Sequence, residues 1–111
     1  MTIATSIQQN WLSGYQALTP STTQTQAGGT PVTGQYVSIA AGNAADALTL
    51  PSASAGQIVF LLNAANAKNL FPPKGGAINQ GTVDAVLSLT ASKMSLVCYT
   101  DPLNVSVNIL A

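Results

Sequence analysis

Short apolar stretches separated by turn residues recur from residue 36 onward, at the spacing of an all-β sandwich or barrel. Within 35–40, Val37 and Ile39 share a face. Leu48 and Leu50 do the same before Pro51 ends their strand, because proline has no N–H to give a central ladder. The run Gln57-Ile58-Val59-Phe60-Leu61-Leu62-Asn63 is apolar on both sides, short for a helix and bounded by Gly56 and Asn63. It predicts a central strand with both faces covered. Segment 69–72 (NLFP) predicts a short extended piece, 72–76 (PPKGG) a chain reversal, and 77–79 a brief strand. From 83 to 91, Val83, Ala85, Leu87 and Leu89 alternate with Asp84, Ser88 and Thr90, although Val86 breaks the polar row. Segment 93–100 sets Met94, Leu96 and Cys98 on one face, and the short Ala91-Ser92 connection predicts a hairpin with the strand before it. After a turn at Asp101-Pro102, Val105, Val107 and Ile109 alternate with Ser106 and Asn108. The pattern is that of a small antiparallel β-sandwich or barrel.

The first twenty residues follow another period. Ile3, Ile7, Trp11, Tyr15 and Leu18 recur at steps of four and three, one face of a helix. Gly14 and the many Thr, Ser and Asn residues lower helix propensity, so this stretch reads either as a short helix or as an extended arm. Residues 21–34, STTQTQAGGTPVTG, carry no charge and almost no large apolar side chain, the signature of a flexible linker. The chain therefore divides into an N-terminal arm and linker over 1–34 and a β-body over 35–111. The apolar residues of the arm, Ile3, Ile7, Trp11, Leu12, Tyr15 and Leu18, form the candidate interface, since they need burial against the body or another subunit.

Composition sharpens this picture. The chain has 111 residues, and its charged side chains are only Lys68, Lys74, Lys93, Asp46, Asp84 and Asp101, 5% of the chain against about a quarter in ordinary domains. Hydrophobic residues make up 47%, so the chain has the apolar content to fold, and the length suits one domain. Its polar surface must be uncharged, built from Thr, Ser, Asn and Gln. Three scattered lysines cannot neutralise a row of phosphates or dock on an anionic bilayer, so neither nucleic acid nor membrane is an expected partner. No apolar run has the length of a membrane-spanning helix, and the N-terminus lacks the basic start and apolar core of a signal peptide, so synthesis in a cytoplasm is expected.

Candidate chemistry is sparse. Without His there is no Ser-His-Asp or Cys-His arrangement, and one Cys with three Asp cannot supply the usual zinc ligands. The three aspartates read as solvated loop carboxylates, and Cys98, in the run LVCY, as a small buried hydrophobe that leaves no intrachain disulfide possible. Gly28-Gly29 and Gly75-Gly76 read as turns, because neither leads from a strand into a helix. No cofactor, metal or enzymatic activity is expected.

The stretch 48–99 reads L-x-L-P-x-A-x-A-G, then an apolar strand ending in Asn, then F-P-x-x-G-x-x-I-N, then strands ending in Cys-Tyr. Carried by Leu50, Pro51, Ala53, Ala55, Gly56, Asn63, Phe71, Pro72, Gly75, Ile78 and Asn79, this order resembles a small β-domain of tailed-bacteriophage virion proteins. That domain occurs in capsid decoration (cement) and head-fibre proteins and in tail-fibre modules. The resemblance covers about half of the chain. It implies a homotrimer, attachment to the major capsid protein and a place on the capsid surface of the virion. The chain ends NVSVNILA, without the aromatic-rich terminal strand that such proteins often carry, which favours a short surface protein over a tail fibre. A structural virion protein is the leading expectation. The alternative is a receptor- or glycan-binding module of a phage fibre or adhesin, with Trp11, Tyr15, Tyr36 and Tyr99 as the aromatic candidates.

Overall fold

The computed structural model describes residues 11–110, and these form nine strands and no helix. They are β1 (Tyr15–Leu18), β2 (Thr30–Pro31), β3 (Tyr36–Ile39), β4 (Ala47–Thr49), β5 (Ile58–Asn63), β6 (Lys68–Phe71), β7 (Leu87–Leu89), β8 (Met94–Tyr99) and β9 (Val105–Ile109). Five of them form one sheet in the order β1-β3-β5-β8-β9, and four form a second in the order β2-β4-β6-β7. Neither sheet closes on itself.

The all-β expectation holds, but the sheets are mixed rather than antiparallel. From β1 to β6 the chain visits the two sheets alternately, so each return to a sheet comes one winding later and in the same direction. Hence β1, β3 and β5 run parallel, as do β2, β4 and β6. Between strands, antiparallel pairing enters only afterwards, through β6 with β7, β5 with β8, and β8 with β9.

This winding changes several expected elements. Tyr15–Leu18 is strand, with its backbone paired to β3; the expectations for Ile3 and Ile7 lie outside the described residues. Within 21–34, Thr30 and Pro31 form β2, and Ser21 bridges Ala47. The predicted hairpin across Ala91-Ser92 is corrected. β7 belongs to the four-stranded sheet and β8 to the other, so the chain crosses between sheets at Ser92, which adopts φ 59°. Only 87–89 of the predicted strand over 83–91 forms, because Asp84 takes φ 63° and leaves Val83 and Val86 exposed.

The central strand is β5, as its two-sided apolar run requires. Its inward residues Val59 and Leu61 join Val37, Ile39, Val97 and Tyr99 in one buried cluster. Leu48, Leu70 and Leu89 of the four-stranded sheet enter the same cluster, so the core lies between the sheets. Burying such side chains contributes about 1.5–3 kcal/mol each.

Two charged groups lie inside rather than in solvated loops. Asp46 is buried, and its Oδ2 accepts from the Asn43 N–H at 2.8 Å. Lys68 is wholly buried at the start of β6, where its Nζ donates to the carbonyls of Ala65 and, at 3.0 Å, Asn66. Burial lowers the Lys68 pKa, opposed by the nearby charge of Asp46. The ammonium thus satisfies the carbonyls of the β5–β6 turn.

Candidate interaction surface

In a sheet covered on one side only, outward positions are normally polar. Here they are not. Alternation along β5 sends Val59, Leu61 and Asn63 inward and Ile58, Phe60 and Leu62 outward. Along β8, Ser95, Val97 and Tyr99 point inward, so Met94, Leu96 and Cys98 stand on the outer face. Cys98 is therefore partly exposed there, not buried as its apolar neighbours suggested.

Registry aligns these residues into rows. One row runs Tyr15, Tyr36, Phe60, Leu96, Asn108 across the sheet. Its aromatic part is continuous: the ring centroids of Tyr15 and Tyr36 are 6.2 Å apart, and those of Tyr36 and Phe60 6.3 Å. Tyr15 is 67% exposed and Tyr36 41%. A second row runs Ala17, Ser38, Leu62, Met94. None of the six charged residues lies on this face, since Lys68 is the only one in a strand and belongs to the other sheet.

The two edges of the sheet differ. Beside β9, Val105 and Val107 are engaged on their outer side by 77–79. The Asn79 N–H donates to the Val105 oxygen at 2.9 Å, the Val105 N–H to the Ala77 oxygen at 3.1 Å, and the Val107 N–H to Asn79 Oδ1 at 2.8 Å. Beside β1, no described residue pairs on the outer side. Gly14 and Leu18 aim their carbonyls at the β3 side, accepting from Tyr36 and Ala40 respectively. By strand alternation the backbone groups of Tyr15 and Ala17 point to the open side. This edge carries neither the Lys nor the Pro that commonly blunts one.

The arm residues are distributed between core and surface. Leu18 is buried in the core, and Leu12 packs partly buried against it, with its N–H donating to Gln57 Oε1 at 2.7 Å. Trp11 is half exposed, and Tyr15 begins the aromatic row. Of the other aromatic candidates, Tyr36 joins that row and Tyr99 is buried. Phe60, Leu62 and Leu96 were not singled out from the sequence. The signal that points to them is the two-sided apolarity of 57–63.

The remaining carboxylates hold loops. Asp84 Oδ1 accepts from Gln26 Nε2 at 2.9 Å and from the Gly75 N–H at 2.7 Å, and these bonds hold its pKa below the usual carboxylate value. Asp101 is held low by the Asn104 side chain and the Leu103 N–H. Among the described residues, no three His, Cys, Asp or Glu side chains come together as a metal site. No family model, curated protein or solved structure matches the chain.

Proposed function

We propose that the protein is a structural virion protein, a capsid decoration protein that binds the head surface of a tailed phage as a homo-oligomer and stabilises it, its two sheets stacked as a sandwich. One observation carries this reading: β5 and β8, at the middle of the five-stranded sheet, are apolar on the outer face as well as the inner, and that outer face carries no charged residue. Such a face acts by covering another surface and being covered. Contacts of this kind are insensitive to salt, because screening acts on charges and not on apolar burial. The capsid partner and the virion location come from the resemblance over 48–99.

Purified protein should bind expanded empty heads at a fixed stoichiometry, raise their resistance to heat, and do so equally at low and high salt. Absence of binding to heads overturns the reading.

A second reading is favoured by the exposed pair Tyr15 and Tyr36, whose rings offer hydroxyl groups and apolar faces to a ligand. As a receptor- or glycan-binding module, the protein would adsorb to host cells or cell-wall sugars and compete with infection. Replacing both tyrosines with Ala would then abolish adsorption.

A further inference from the structure

The five-stranded sheet buries one face against the four-stranded sheet, and no described strand covers the other. We propose that a second copy of this chain docks on that outer face, sheet against sheet, about a two-fold axis parallel to the strands at β5. This rests on the reading above only in that copies of the chain associate.

The chemistry of the face matches itself under that operation. A half-turn about the axis lays β1 of one copy over β9 of the other and β3 over β8, while β5 meets β5. In the row Tyr15, Tyr36, Phe60, Leu96, Asn108, Phe60 then meets its own counterpart at the centre and Tyr36 meets Leu96. The Tyr15 hydroxyl meets the Asn108 amide at the rim. Apolar contacts at the centre with hydrogen-bonding groups at the margin are the usual anatomy of a protein interface. A patch that complements itself is what a two-fold requires. With no charged residue on the face, the operation brings no like charges together.

Size sets the strength. Five strands about 4.8 Å apart and about five residues long give a face of roughly 400 Å² in plan. A standard interface takes about 800 Å² of accessible surface from each partner. Even with side-chain relief added, the contact falls toward the lower end, so the dimer is concentration-dependent. The face is preferred to the open edge because β1 offers only four residues for pairing.

Sedimentation equilibrium on the full chain, from low micromolar to sub-millimolar concentration, tests this. The mass should rise from one chain, 11.2 kDa, toward two. Phe60→Lys and Tyr36→Lys should each weaken association about tenfold or more with unchanged circular dichroism, and partly exposed Tyr36 makes the second variant safe for folding. Val83→Lys, in an exposed loop away from both sheets, should leave the dimer intact. Alkylation of Cys98, on the same face, should slow as concentration rises. One chain at every concentration, a species of three chains, or a dimer that survives both face substitutions each overturns the proposal. A dimer that fails to bind heads overturns the virion reading instead; a monomer that binds heads overturns only the interface.

Discussion

The Tyr99 hydroxyl donates to the Pro51 carbonyl over 2.6 Å, tying β8 of the five-stranded sheet to the loop that leaves β4 of the other. Burial pushes the Tyr99 pKa up. Tyr99→Phe keeps the ring and leaves the Pro51 carbonyl without its donor, so we expect a loss of about 1–2 kcal/mol, read from urea unfolding. Because the raised pKa keeps the folded hydroxyl protonated, its contribution is complete below about pH 10 and declines above it, where the unfolded chain gives up the proton first.

Asn63 should be more sensitive. Its Nδ2 donates to the carbonyls of Asn66, Thr90 and Leu89 at 2.8, 3.1 and 3.4 Å, joining the turn after β5 to the crossing between the sheets. Asn63→Ala removes the shared donor, and about 2–3 kcal/mol is expected. Asn63→Asp sets a carboxylate against those oxygens and should be worse at pH 7 than at pH 4, where protonation restores a donor. A variant as stable as the parent would show that these contacts contribute nothing.

Acid should weaken the loops before the sheets. Hydrogen bonds hold the Asp84 and Asp101 carboxyls below the ordinary aspartate value of 3.8. Their contribution is present above that pH and is lost as pH falls through the lower folded values. Asp84→Asn and Asp101→Asn should each flatten the decline in stability below about pH 4. Unchanged slopes in both would remove these carboxylates from the acid response.

Two glycines separate steric from conformational demand. A Cβ at Gly76 would fall onto the Leu103 carbonyl, so Gly76→Ala must displace backbone between the loop and the β8–β9 turn. At Gly14 there is open space, but φ is +77°, where an L side chain costs about 1–2 kcal/mol. Thermal melts should show the larger loss at Gly76.

Neighbours on β5 report the two faces directly. Val59 is wholly buried, whereas Ile58 is 39% exposed. Val59→Thr places a hydroxyl in the core and should cost about 1–3 kcal/mol, while Ile58→Thr should stay within about 0.5 kcal/mol in the monomer. Equal losses would mean that the outer face is covered within one chain.

Much of the β-body was legible because strand periodicity is local. Val37 and Ile39, Leu48, the two-sided run of β5, and the alternation of β9 are all written in adjacent residues. The candidate surface was half legible. Two-sided apolarity at 57–63 announced a strand needing cover on both sides, but alternation alone does not say which of Met94 or Val97 faces the core. Tyr15 falls on the helical period of the arm, whereas its pairing with Tyr36 spans a whole winding of the chain.

The sequence by itself determined that this protein is all-β, nearly uncharged, and built around a central apolar strand, because those properties follow from composition and short-range pattern. Only the tertiary structure decided that β1, β3 and β5 run parallel, that β7 and β8 part into different sheets, and that Tyr15, Tyr36 and Phe60 form one row. Those outcomes depend on how successive windings stack, and stacking is set by hydrogen bonds and core contacts between residues some twenty positions apart, a range over which no local period extends.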